Sequence, residues 1–197
     1  MGEAADAVTA PPTRAPWREG LAILAALALV ALVELWMGRE PMCTCGYISL
    51  WHGAVDSQNS QQISDWYTFT HVEHGLLFFG LLYLVARRLP VGTRLLAAVA
   101  IESAWEIVEN SPFIIDRYRA ATISLDYYGD SVVNSVADVL AMMLGFWMAR
   151  RLPVLASVAF IAVVEILLAV VIRDNLALNI LMLIHPVDAI KQWQLAS

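Results

Sequence analysis

His71 and His74 stand three residues apart, Glu102, Glu106 and Glu109 follow at i, i+4 and i+7, and Asp138 comes later in the chain. On helices each set shares one face. Imidazoles facing carboxylates support two kinds of chemistry. They can work as general acid and base, with burial tuning the carboxyl groups. They can also ligate a divalent metal, since imidazole plus carboxylate suits zinc and similar ions. The candidate catalytic set is therefore His71, His74, Glu102, Glu106 and Asp138, and the candidate metal set is His71, His74 and Glu106. The plain alternative is a hydrogen-bonded network that only fixes helix packing.

These groups sit in apolar surroundings. A charge at a bilayer centre costs roughly 2.5–3.5 kcal/mol on the mildest scale, so each must face protein or water, be neutral, or be paired. The chain of 197 residues is 59% hydrophobic, with a mean hydropathy of +0.64. A soluble domain is nearer ~45–50% apolar, so this reads as a membrane protein. A net charge of −6 leaves no basic patch for phosphates and argues against nucleic acid.

Apolar runs and their stops predict an all-α polytopic membrane helix bundle. Five transmembrane helices fall at about 20–37, 68–86, 93–110, 131–149 and 154–172. They form a single unit over 19–197, behind a disordered cytoplasmic tail at 1–18 that does not read as a cleaved signal. The apolar segment 176–185 is too short to span and reads as interfacial or re-entrant; a tilted sixth span reaching Ile190 is the alternative. Glu34 falls in the last turn of the first helix, at the interface. Residues 38–67 and 111–130 read as polar loops. Two cysteines, Cys43 and Cys45, imply no disulfide framework. With His52 they are one ligand short of a closed zinc site, and they read as an exposed pair of minor role.

Arginine placement sets the orientation. Arg87, Arg88 and Arg94, and then Arg150 and Arg151, crowd the two shortest connections. This puts the N-terminus in the cytoplasm and loops 38–67 and 111–130 outside. His71, His74, Asn134 and Asp138 then lie near the outer ends of their helices. Glu102 sits near mid-membrane, with Glu106 and Glu109 rising outward. The inner half of the same helices is nearly all Leu, Ala, Val, Met and Phe. A polar cavity open to the outside, with an apolar floor, follows. Arg117, Arg119 and Asn134 are the candidate headgroup-binding residues, a bidentate guanidinium being suited to phosphate; alternatively the arginines pair with Asp116 and Asp126. Asp130 stands where a helix N-cap belongs, and Glu165 reads as a hydrogen-bonding group inside the bundle.

The string Ala86-Arg-Arg-Leu-Pro-Val91 recurs as Ala149-Arg-Arg-Leu-Pro-Val154, and the same offset maps His71 onto Asn134 and Glu102 onto Glu165. A parallel duplication of two hairpins would produce this; so would a convenient inside turn used twice.

Several strings carry a resemblance. They are Asp65-Trp-Tyr-Thr-Phe-Thr-His71-x-x-His74-Gly75, Glu102-x-x-Trp-Glu106-x-x-Glu109-Asn110, Arg117-Tyr-Arg119-x-x-Thr122, and Gly129-Asp-Ser-x-x-Asn-Ser135. With the Cys-Thr-Cys-Gly46 loop and Ile172-Arg-Asp-Asn-Leu176, the chain resembles an uncharacterised family of bacterial multi-pass inner-membrane proteins. That resemblance implies the plasma membrane and no established activity. A more distant likeness is to VanZ-like proteins, carried by His74, Glu102, Arg119, Asp130, Asn134 and Gly145 in that order. It implies cell-envelope biology.

The functional expectation is an integral inner-membrane protein acting on a lipid or lipid-linked headgroup, with membrane lipid as its partner and a divalent metal as its candidate cofactor. A proton or small-cation carrier, or a non-catalytic assembly subunit, is the alternative. An alkaline phosphatase fusion after Asp126 should be active. A dead fusion, with a live cytosolic reporter at the same point, would place the cavity on the other side.

Overall fold

The computed structural model describes residues 16–196. The tail expected at 1–18 lies outside the described residues except for its last three, which already belong to a helix. The eight helices are α1 (Pro16–Trp36), α2 (Thr68–Ala86), α3 (Val91–Glu109), α4 (Pro112–Ala121), α5 (Val132–Arg151), α6 (Val154–Val171), α7 (Leu176–Ile184) and α8 (Asp188–Leu195). No strand occurs among the described residues. Four helices, α1, α2, α5 and α6, are long and apolar enough to cross a membrane.

Local chemistry ends each helix where the residues demand it. Gly38 takes φ +82° after α1, and the N–H groups of Gly38 and Arg39 donate to Leu35 O and Glu34 O at 3.1 and 2.9 Å. That left-handed turn satisfies carbonyls the helix leaves open. Pro90 and Pro153 stand at the N-caps of α3 and α6, where a missing N–H costs nothing. The repeated Arg-Arg-Leu-Pro string turns the chain in two ways: Arg87 and Arg88 lie beyond the end of α2, whereas Arg150 and Arg151 close α5.

The most extensive helix contact joins α2 to α5, and α3 packs against α1, α5 and α2. Two glycines make the α2–α5 crossing possible. A Cβ on Gly75 would lie 1.9 Å from Met142 O, and one on Gly145 would lie 1.9 Å from Val72 O. Small residues let backbones approach where apolar burial alone gives no driving force between helices. Below the crossing, Leu82, Leu95, Ala98, Val99, Val139, Met142 and Phe146 form a continuous apolar core. Outward faces stay greasy: Leu32 on α1 and Val154, Leu155 and Val170 on α6 are exposed, as a lipid-facing surface requires.

Two expectations need correction and a third gains detail. The segment 111–130 is not all loop: α4 forms because Ser111 accepts from Ile114 N at 3.4 Å and Pro112 takes the first helical turn. Glu34, in the last turn of α1, is fully buried within the protein, with Asn110 Nδ2 3.4 Å from its Oε1. Cys43 and Cys45 are joined by a disulfide, with Cys43 buried. Their loop folds over the start of α5, whose first N–H groups need acceptors: Ser131 N donates to Ser60 O and Val132 N to Glu40 O, both at 2.9 Å.

The C-terminal apolar segment is a short helix, α7, about 13 Å long at 1.5 Å per residue, and it ends at Ile184 before Pro186. A single helix running on to Ile190 is not formed. Asp174 anchors this region. Its carboxyl oxygens accept from Tyr67 Oη at 3.2 Å, Asn175 N at 3.0 Å, Asn179 Nδ2 at 3.4 Å and Gln194 Nε2 at 3.2 Å.

Two outcomes follow. Gly75→Ala or Gly145→Ala should destabilise the bundle by ~1–3 kcal/mol, as overpacking does, whereas Gly80→Ala, with nothing near its Cβ position, should not; melting in detergent reads the difference. Burial, outweighing those hydrogen bonds, pushes Asp174 up from 3.8 to about 6. The fold therefore favours the neutral acid, and that stabilisation is complete below pH 3.8 and lost as pH rises through 6. Protection factors over residues 174–195, with the intrinsic pH dependence of exchange divided out, should be higher at pH 5 than at pH 8, and Asp174→Asn should flatten the difference.

Candidate functional site

The α2–α5 crossing fixes α2 so that His71 and His74 look toward α3. Glu102, fully buried, receives both. His71 Nδ1 lies 2.7 Å from Glu102 Oε1, and His74 Nδ1 lies 3.0 and 3.1 Å from Oε1 and Oε2. With Glu102 ionised, a carboxylate that only accepts, both imidazoles would donate Nδ1–H to it. His71 has two further acidic neighbours: Glu106 Oε1 is 3.5 Å from Nδ1, and Asp138 Oδ2 is 3.7 Å from Nε2. The two rings meet edge to face at 5.2 Å, and His74 stacks on Phe78. The five candidate catalytic residues therefore come together.

The candidate metal set changes by one residue. Ligand atoms of His71, His74 and Glu102 lie within 4.8 Å of one another, while Glu106 groups instead with Glu109 and Asp130. The reason is helical rise. Glu102 is level with the imidazoles, and Glu106 stands one turn nearer the loops.

A cavity of about 200 Å³ opens beside these groups, lined by His71, His74, Trp105, Glu109, Asp130 and Asp138. Parts of the 55–60 and 123–127 segments and α7 complete its wall. Glu102 and Glu106 are fully buried and stand behind the imidazoles, away from the lining.

Asp130 is not the N-cap. Ser131 takes that place, accepting from Asn134 N at 3.2 Å. Asp130 instead belongs to a polar knot: it accepts from Asn110 Nδ2 and Tyr127 Oη, both at 2.9 Å, while its own N–H donates to Asn110 Oδ1 at 2.7 Å. Tyr118 Oη lies 2.8 Å from Glu109 Oε1 and 3.0 Å from Asn179 Oδ1. Burial pushes the Asp130 carboxyl and the Tyr118 and Tyr127 phenols up from their ordinary ranges.

The three candidate headgroup residues are not brought to the cavity. Arg117 Nε donates to Leu183 O at 2.8 Å, satisfying the end of α7. Arg119 Nε donates to Tyr127 O at 2.5 Å. Asn134 Nδ2 donates to Gln62 O at 2.9 Å and ties down the cysteine loop. None of the three is among the cavity's lining residues.

Sequence reasoning passed over several groups. Asn110 and Tyr118 were visible only as neighbours of Glu109 and Arg117. Glu73 is fully buried and faces Glu165. Glu165 in turn accepts from Leu176 N and Ala177 N at 2.8 and 3.2 Å, a carboxylate on the positive end of α7. Arg94, read as part of an inside turn, is buried, its guanidinium 5.5 and 5.8 Å from the Phe79 and Tyr83 rings.

Comparison with known proteins places this geometry in a family. Residues 34–196 match the family described as protein of unknown function (DUF2585). A UPF0314 protein of Paracoccus denitrificans is 61% identical over 171 residues, covering 86% of this chain and 89% of the relative. Similar proteins occur in Rhizobium meliloti, 58% identical over 175 residues (88% of this chain, 89% of the relative), and in Sphingopyxis alaskensis, 51% identical over 179 residues (90% and 95%). No solved structure matches. With nearly everything from α1's last turn onward matched, and relatives more than half identical along most of their length, this chain belongs to the DUF2585 family of proteins of unknown function.

Proposed function

We propose that this protein spans a bacterial inner membrane five times, with a cytoplasmic N-terminus, and works on the polar headgroup of a lipid or lipid-linked molecule at the outer side. The fifth span is α3. Its 19 residues reach about 28 Å, and it packs among α1, α2 and α5. It is less apolar than its neighbours because its carboxyl groups turn inward. The short α7 lies at the interface.

The observation that carries the functional reading is the order of groups from the cavity inward. His71 and His74 line it, and the carboxylate that holds both is buried behind them. A carboxylate on Nδ1–H fixes the ring and leaves Nε2 as a base. Asp130 lines the same space and, when protonated, would be the acid. A volume near 200 Å³ suits a small polar group and leaves acyl chains outside. General acid–base catalysis contributes ~10²–10⁴-fold.

A proton or small-cation carrier is the second reading. It draws on the run of acids from Glu102 through Glu106 and Glu109 to Asp130, which can relay protons. The apolar core under the α2–α5 crossing blocks that path toward the inner side, which favours the enzyme.

Glu102→Gln should lower headgroup turnover by ~100-fold or more in a protein that still inserts, read as a lipid change by mass spectrometry of cells with and without the gene. Proton flux in proteoliposomes, with unchanged lipids, would point to the carrier. Substitutions that lower only the amount of protein would leave these groups a packing role.

A further inference from the structure

The acids around the cavity outnumber the bases in a way hydrogen bonding does not resolve. Neither oxygen of Glu106 has a hydrogen-bond donor among the described residues, although the side chain is fully buried. Asp138 Oδ1 is in the same position, on a side chain nine-tenths buried. Both orphaned groups are aimed at His71, with contacts of 3.5 Å from Glu106 Oε1 and 3.7 Å from Asp138 Oδ2. An unpaired buried carboxylate is strongly destabilising. Glu102, Glu106, Glu109, Asp130 and Asp138 make five acids to the two imidazoles of His71 and His74.

We infer that this cluster is a two-cation site for divalent first-row transition metals, one ion on His71, His74 and Glu102 and the other on Glu106, Glu109 and Asp130. In each group the ligand atoms already lie within 4.8 Å of one another. Two imidazoles and one glutamate form a donor set that zinc-like ions take, while three carboxylates favour a harder ion such as manganese. Glu106 belongs to the second group and reaches to His71 in the first, so it stands where a bridging carboxylate belongs. Asp138 flanks His71 on the other nitrogen. Loading the first position would take Nδ1 of each imidazole for the metal: the nitrogen–metal and oxygen–metal bonds form, the Nδ1–H bonds break, and each ring regains its proton on Nε2, staying neutral. The protons released to solvent on loading are those held by the carboxyl groups that become ligands. Both positions meet the cavity, through His71 and His74 for one and Glu109 and Asp130 for the other. Paired ions about 3.5–4 Å apart serve phosphoester chemistry, so the inference deepens the headgroup reading and rests on the same cavity.

The test uses the full chain in mild detergent, stripped with EDTA and titrated with Mn²⁺ or Zn²⁺ alone. Elemental analysis should find two ions per chain, with protons released on loading, and two bound Mn²⁺ should give a spin-coupled resonance signal. Glu109→Gln should cut the stoichiometry to one ion, uncoupled, and so should His74→Ala. Gly80→Ala, with nothing near its Cβ position, should keep both ions and serves as the folded control. No binding above the detergent blank, or stoichiometry unmoved by Glu109→Gln and His74→Ala, overturns the inference. The headgroup reading fails separately: two ions bound, with lipids unchanged in cells lacking the gene, removes the substrate and keeps the metals. Altered lipids with no ion bound does the reverse.

Discussion

Glu102 sits at full burial in a helix bundle whose neighbouring side chains are mostly hydrocarbon, and two imidazole N–H groups keep it there. A lone carboxylate in such a place would be neutral or expelled. Once it is held, much else is constrained. α2 must present both histidines at the level of the middle of α3. α2 must also lie against α5 closely enough for Asp138 to approach His71. Gly75 and Gly145 supply that closeness, backbone on backbone. The glycine pair is thus part of the site, although neither residue touches the cavity.

The outer structures serve the same centre. The disulfide-bearing loop is fastened to the start of α5 by Gln61, Gln62 and Ser131. α4 and α7 are fastened to each other by Arg117 and by Tyr118 with Asn179. These polar contacts close a lid of irregular chain over acids that could not stand in lipid. On the other side of the imidazoles lies the apolar core, with Arg94 shelved on Phe79 and Tyr83 and Glu19 set against Gly92.

Much of this could be read from the residues because it obeys local rules. The helices at 68–86 and 154–171 end where Arg-Arg-Leu-Pro or a polar run stops an apolar run. The shared face of Glu102, Glu106 and Glu109 is a matter of helical period. The signals for α4 were also present, in Ser111 followed by Pro112, but a short amphipathic helix with two arginines has the composition of a loop. Long-range assignments were not legible. Whether Asp130 caps a helix or joins Asn110 and Tyr127 depends on where α3 ends in space. Whether Arg117 meets a phosphate or a carbonyl depends on α7, 66 positions away. The choice of Glu102 over Glu106 beside the histidine pair depends on helix register, which spacing within one helix does not fix. His74 and Asp130 line one cavity, Glu102 is buried behind it, and Arg119 turns to the backbone of Tyr127.

One buried carboxylate orders two imidazoles, and ¹⁵N-histidine resonance of the metal-stripped protein in lipid nanodiscs reads this directly. Two imidazoles protonated on Nδ1 with strongly hydrogen-bonded protons are expected, both lost together in Glu102→Gln. Imidazoles that exchange freely with water, or keep their resonances when Glu102 is replaced, would contradict it.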